Sequence, residues 1–140
     1  MLEAFTQSWT QAWARELNES PAYRTAAATW EGPVALILDD PDPAARKAVV
    51  LDLWHGACRT AGVAAPETAL SQVRFAFEGG RDAWRQVLSD GGSPALALMS
   101  GQIRLTKGSL AALLPFASAA QALLELAGRV PTAFPDGSKG

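Results

Sequence analysis

The spacing of apolar residues changes twice along this chain, and that change constrains the fold more than any other feature. Before residue 30 the period is close to four. Phe5, Trp9, Trp13 and Leu17 recur on one face, which predicts a helix over residues 3–18. Asn18 is a stop signal. Ser20–Pro21 restarts a helix in "SPAYRTAAATW", with the serine as cap and the proline in the first turn. From residue 33 the period falls to two. Val34, Leu36 and Leu38 share one face of a strand, with Ala35 and Ile37 on the other. "DDPDPAAR" is turn chemistry. Val49, Leu51 and Leu53 then alternate with Val50, Asp52 and Trp54, and Gly56 marks a bulge or tight bend before another strand segment. In "SQVRFAFEG", Val73, Phe75 and Phe77 alternate with Arg74 and Glu78.

After residue 80 helical signals return. Trp84, Val87 and Leu88 make the apolar edge of one short helix; Ser93–Pro94 opens a second and Gly101 closes it. "QIRLTKG" is a short strand with Ile103 and Leu105 inward. Ser109 caps a last helical region, which Pro115 breaks near residue 114 and Gly128 ends. The order α-α-β-β-β-β-α-α-β-α-α predicts an α+β fold. Four consecutive strands with short connections read as an antiparallel meander. The result is a five-stranded, mainly antiparallel sheet covered on one face by helices. At 140 residues the chain fits one domain, placed at residues 1–128. Residues 129–140, "RVPTAFPDGSKG", read as a loosely held tail.

Composition removes several classes of function. Hydrophobic residues make up 49% and charged residues 19%, an ordinary globular mix. A net charge of −2 offers no electrostatic reason for nucleic-acid binding. No run of about 18 apolar residues is evident, so no integral membrane segment is expected. "MLEAFTQSWTQAW" has no basic start and no uninterrupted apolar stretch, so it does not read as a signal peptide. One cysteine cannot form an internal disulfide, which fits a reducing cytoplasm. With one cysteine and one histidine, no zinc site or other metal cofactor is expected.

The densest chemistry lies in "LDLWHGACR", residues 51–59, which holds both His55 and Cys58. In a strand a spacing of three places side chains on opposite faces, and Asp52 to His55 has the same parity problem. A hydrolase or transferase using His55 and Cys58 also needs an orienting group and an oxyanion hole. The sequence supplies neither. Asp39, Asp40 and Asp42 sit in a proline-rich turn without the spacing of a calcium loop. "EGGRD" and "DGGS" lie beside helix starts but match no phosphate-loop pattern. Arg74, Arg104 and Asp52 share the polar parity of their strands. Trp54, on that same parity, supports an alternative reading in which the core is solid and the open sheet face mediates dimerisation or contact with another protein.

The apolar stripes point elsewhere. Trp9 and Trp13, Phe75 and Phe77, Trp84, and the Leu113–Leu124 region converge on the covered face. The last helix is rich in small residues: Ala111, Ala112, Ala117, Ala119, Ala120 and Ala122. Small side chains beside a wall of aromatics can leave space unfilled.

Residues 83–127 resemble the sterol carrier protein (type 2) lipid-transfer family. The match is carried by Trp84, by Met99 and Gly101 at the end of a short helix, by Ile103 and Leu105 on a strand, and by Gly108 before the final helices. The N-terminal half is similar to small stand-alone bacterial and archaeal members. Gln102 stands where the family often has lysine, Ser109 where Asp or Asn is usual, and Thr106–Lys107 extend the strand. The C-terminus carries no peroxisomal Ser-Lys-Leu signal. The resemblance implies a helix-covered sheet enclosing an apolar tunnel for a sterol, fatty acid or acyl lipid, and no catalytic residue. On this reading the protein is not an enzyme and needs no cofactor. Its ligand-binding residues would be Trp9, Trp13, Leu38, Phe75 and Phe77. To these are added Trp84, Met99, Leu113, Phe116 and Leu124, with the final helix as the gate.

Overall fold

The computed structural model describes residues 1–134. The helix marked by Trp9, Trp13 and Leu17 forms as α1 (Gln7–Asn18) and begins later than the periodicity suggests. The residues before it are used differently. Leu2–Glu3 (β1) pairs in parallel with Thr132–Ala133 (β7). Phe5 then takes a left-handed conformation, φ 61°, and Thr6 caps the helix by accepting a hydrogen bond from the Trp9 amide. Phe5 stays against Trp9, ring centroids 5.5 Å apart, so it serves the apolar face without belonging to the helix. The next helix, α2 (Pro21–Ala26), has the expected Ser20 cap, which accepts from the Tyr23 amide.

The main sheet contains β2 (Glu31–Leu38), β3 (Lys47–Trp54), β4 (Ala57–Ala64), β5 (Phe75–Gly79) and β6 (Ile103–Lys107). Their spatial order is β4-β3-β2-β5-β6. The α+β class and the mainly antiparallel sheet are as expected: β2–β3, β3–β4 and β5–β6 are all antiparallel. The four-strand meander is corrected at β5, which pairs with β2 in parallel. A parallel neighbour needs a crossover, and α3 (Pro66–Gln72) provides it. This helix escapes the sequence reading because it is short and polar, with Ala69 its one buried residue. Val73 caps α3, and does not share the face of Phe75 and Phe77. It packs with Ala35, Ile37, Ala48, Ala69 and Ala76 on the opposite side of the sheet. The helices therefore do not cover one face alone. A small apolar cluster under α3 occupies the other.

The larger core lies on the first face. Val34, Leu36 and Leu38 from β2 and Val49, Leu51 and Leu53 from β3 meet Trp9, Trp13, Leu17, Tyr23, Trp84 and Leu123 there. These come from α1, α2, α4 (Arg81–Leu88) and α7 (Ala117–Ala127). The parity expected for both strands holds.

"LDLWHGACR" forms the hairpin between β3 and β4. Trp54 pairs with Ala57, and the two residues between, His55 and Gly56, have φ of 50° and 86°. Two positive φ values make the mirror-image turn whose twist suits a two-residue hairpin. Gly56 is also required by space, since a Cβ there would lie 2.7 Å from the Arg24 carbonyl oxygen. A bulge shifts the register between Asp52 and Leu53, and the outer edge of β4 is shielded by side chains of α1. Asn18 accepts from the Cys58 amide at 2.8 Å and donates to its carbonyl at 3.0 Å, while Gln7 accepts from the Val63 amide at 3.0 Å. These bonds occupy edge groups at Cys58 and Val63 that another strand would otherwise pair with.

The C-terminal expectation is corrected in part. Val130 is buried and β7 is hydrogen-bonded to the N-terminus, so residues 130–134 are held in place. Residues 135–140 lie outside the described residues.

Candidate functional site

The last third of the chain builds a pocket of about 540 Å³ beside β6. Its walls come from α5 (Pro94–Ser100), β6, α6 (Leu110–Leu113) and α7. Local sequence sets each wall. Ser93 caps α5 by accepting from the Leu96 amide, and Gly101 ends that helix in the left-handed conformation. Alternation along β6 turns Ile103 and Leu105 toward the interior. Gly108, φ 84°, lets the chain leave β6 directly over Phe75; a Cβ there would sit 2.5 Å from the Phe75 ring. Pro115 splits the last helical region as expected. α6 stops at Leu113, a short 3-10 turn covers Leu114–Phe116, and α7 follows.

The lining is apolar at its base, with Phe77, Leu98, Ile103, Leu113 and Leu124. Ala95, Ala117 and Ala120 line it as well, so small residues leave the space that larger ones would fill. Arg104 and Gln121 bring the polar side chains of the lining. Arg104 is engaged elsewhere, donating to Asp39 at 2.6 Å. Around the mouth Met99, Leu110 and Leu114 stand out of the surface, at 82%, 60% and 63% exposure.

Of the residues expected to line a cavity, Phe77, Met99, Leu113 and Leu124 do meet here. Trp9, Trp13, Leu38, Phe75 and Trp84 do not; they are buried in the core. The three indoles among them are each fastened by the ring N–H: Trp9 to the Thr132 hydroxyl, Trp13 to the Leu123 carbonyl and Trp84 to the Ile37 carbonyl, all at 2.9 Å. A buried indole needs such a partner, and once paired it acts as a fixed pin of the core. Phe116 is stacked on Trp30, centroids 5.8 Å apart, outside the pocket lining. The sequence reading missed Leu98, Ile103, Leu105, Ala120 and Gln121. The inward parity of β6 and the alanines of α7 were their signals, but only the fold brings those two elements face to face.

The other chemical candidates are occupied. His55 pairs with Glu31 at 2.5 Å and stacks on Trp54. Trp54, 41% exposed, also carries the Arg59 guanidinium over its ring at 4.7 Å, and Arg59 holds Asp52 through two bonds of 3.1 Å. Asp42 caps the turn at Pro43–Ala45, and Asp40 accepts from the Asp42 amide. Asp39 and Glu78 lie between Arg46 and Arg104. The adjacent Asp39 raises the Glu78 pKa by sharing a hydrogen bond, with burial adding to the effect.

Cys58 is buried and its thiol donates to the Thr60 carbonyl at 3.3 Å. Burial, and then the negative charge of Asp52, pushes the thiol up to about 12, so it is protonated at neutral pH rather than activated. Burial and the nearby Cys58 likewise raise the Tyr23 phenol. Both groups hold their protons more firmly in the folded chain than in the unfolded one. Their contribution to stability is complete below the unfolded thiol value and is lost as pH rises toward the folded value. The unfolding free energy from urea titration is expected to fall between about pH 9 and pH 12, by up to ~1.4 kcal/mol per pH unit from Cys58 alone. Cys58→Ala removes the part of the slope below the phenol range. Identical slopes in the two proteins would contradict the assignment.

The class these features define is a small α+β domain with an apolar pocket between β6 and its last helices. The chain is similar to a crystal structure of sterol carrier protein 2, with 48% identity, coverage of 91% of this chain and 99% of that one, and a TM-score of 0.82. It is also similar to a conserved hypothetical protein of Thermus thermophilus, described as possibly a sterol carrier protein, with 45% identity, coverage of 98% and 96%, and a TM-score of 0.80. The chain belongs to the sterol carrier protein 2 family. The apo form of sterol carrier protein 2 from Yarrowia lipolytica shares the fold at 16% identity, covering 91% of this chain and 96% of that one, with a TM-score of 0.56. No protein-family model and no curated protein matches the chain.

The premise behind the membrane expectation, that no apolar stretch of about 18 residues exists, is corrected. The 18-residue stretch Leu110–Ala127 is long and apolar enough, by length and composition, to cross a membrane. Its alanines disguise it in the sequence. Here it is broken at Leu114–Phe116, and Leu113, Leu123, Leu124 and Leu126 are buried in the core.

Proposed function

We propose that this protein is a non-enzymatic carrier that binds an apolar small molecule of the lipid class, a sterol, fatty acid or acyl lipid, between β6 and the last helices. The observation that carries this reading is the apolar pocket of about 540 Å³, bordered by Phe77, Leu113 and Leu124 at its base and by exposed Met99, Leu110 and Leu114 at its mouth. Two relatives named for sterol carriage, at 48% and 45% identity, support it. Burial of ~300 Å² of ligand apolar surface at ~25 cal/mol/Å² contributes ~7.5 kcal/mol before the costs of association. Affinity after those costs is micromolar at best, suited to a ligand that must leave again. The Pro115 break weakens the hold of α6 on α7, so entry past Leu110 and Leu114 requires displacement of that short segment alone. The single buried thiol accords with a reducing cytoplasm.

Native mass spectrometry after exposure to a mixed lipid extract tests the reading. One apolar molecule retained per chain is the expected result. A protein that retains none overturns it.

A further inference from the structure

A second crevice, of about 470 Å³, adjoins the apolar pocket and shares two wall residues with it, Pro94 and Gln121. Its other walls are the "DGGS" loop after α4 and the C-terminal end of α7. Here the lining changes character. In place of leucines stand Ser89, Gly91, Ser93, Glu125 and Arg129. Two glycines set the course of this loop. Gly91 holds φ 74°, and at Gly92 a Cβ would lie 2.9 Å from the Gln86 carbonyl oxygen, so larger residues there are strained or crowded.

We infer that the two cavities form one bipartite site for a neutral amphiphile, with the hydrocarbon chain in the apolar pocket and a hydroxyl-bearing, glycerol-like head group in the Ser89–Arg129 crevice. This rests on the reading of the first pocket as a lipid site and names the class of lipid it takes. Continuity is the first argument: a ligand passing over Gln121 touches both cavities. The second is charge. Glu125 and Arg129 both line the crevice, so its fixed charges balance and favour neither an anionic nor a cationic head group. A hydroxyl both donates and accepts, so it can pair with a carboxylate, a guanidinium and the uncharged polar groups alike. The polar groups suit it. Gln121 donates to Glu125 at 3.2 Å, which leaves its own carbonyl oxygen as an acceptor; Ser93 accepts from the Leu96 amide, which leaves its hydroxyl proton to donate.

The test compares two ligands with the same chain, 1-monolauroylglycerol and laurate, by displacement of an apolar fluorophore from the intact protein at neutral pH. The glycerol ester is expected to bind about tenfold tighter than laurate, the effect of one or two head-group hydrogen bonds. Gln121→Leu is expected to weaken the ester about fivefold and to leave laurate unchanged within about twofold. Glu125→Gln, which preserves size, is expected to strengthen laurate about threefold without altering the ester, because it removes a like charge. This second variant keeps the test decisive if the first does not fold. Equal affinity of the two ligands in the native protein, or equal loss of both in Gln121→Leu, overturns the bipartite site while leaving the apolar pocket standing. Failure of both ligands, and of cholesterol added as a third, to displace the fluorophore overturns the lipid-site reading itself.

Discussion

Ala120→Phe is expected to abolish lipid binding while leaving the protein as stable as before, or more so. Ala120 lies on α7 with its methyl group in the pocket wall, and the space in front of it is bounded by apolar side chains. A phenyl ring placed there occupies the volume the ligand needs. It also buries apolar surface without crowding a filled core, which is the condition under which enlarging a residue stabilises. The expected loss of affinity is at least about a hundredfold, since the ring and the ligand chain exclude one another. Thermal melting and fluorophore titration on the same sample read both effects. A variant that melts lower and binds normally would place the ligand somewhere else.

The opposite pattern is expected for Trp13→Ala. Trp13 is fully buried, lies 5.2 Å from Trp9 between ring centroids, and donates to the Leu123 carbonyl 110 residues away in sequence. Removal of the indole leaves a cavity between α1 and α7, and substitutions of this kind cost about 3–5 kcal/mol. That is a large share of the roughly 5–15 kcal/mol by which a domain is held folded. Denaturant unfolding measures it directly. By contrast, Met99→Ala at the exposed mouth is expected to change stability by less than about 0.5 kcal/mol. A Trp13→Ala protein as stable as the native one would remove this residue from the core and return it to the ligand site.

These two variants mark how far the sequence could be read. The period change at residue 33 and its reversal after residue 80 were enough for the α+β class, and the alternation of β2 and β3 assigned their core faces correctly. The parallel pairing of β5 was illegible because it depends on α3, a helix with one buried residue and almost no apolar pattern. For the site, the difficulty was that an aromatic stripe looks the same whether it lines a cavity or fills a core. Trp9, Trp13 and Trp84 fill it, each fixed by a partner distant in sequence. Phe77, Leu113 and Leu124 carry no feature that sets them apart in a linear reading. The alanines of α7 were the informative signal, because a run of small residues in an apolar helix has to leave room somewhere. Where it leaves room depends on β6, and only the folded sheet puts that strand opposite. "LDLWHGACR" invited a catalytic reading and is the hairpin that closes one side of the sheet, its histidine and glycine serving the turn and its cysteine buried and protonated.

The central claim is that the space between β6 and the last helices is where a lipid sits. A crystal structure of the protein grown with 1-monolauroylglycerol tests it most directly. Continuous density for the chain among Phe77, Leu98, Leu113 and Leu124 is the predicted result. Density for the ligand on the open sheet face around Trp54, with the pocket beside β6 empty, would contradict it.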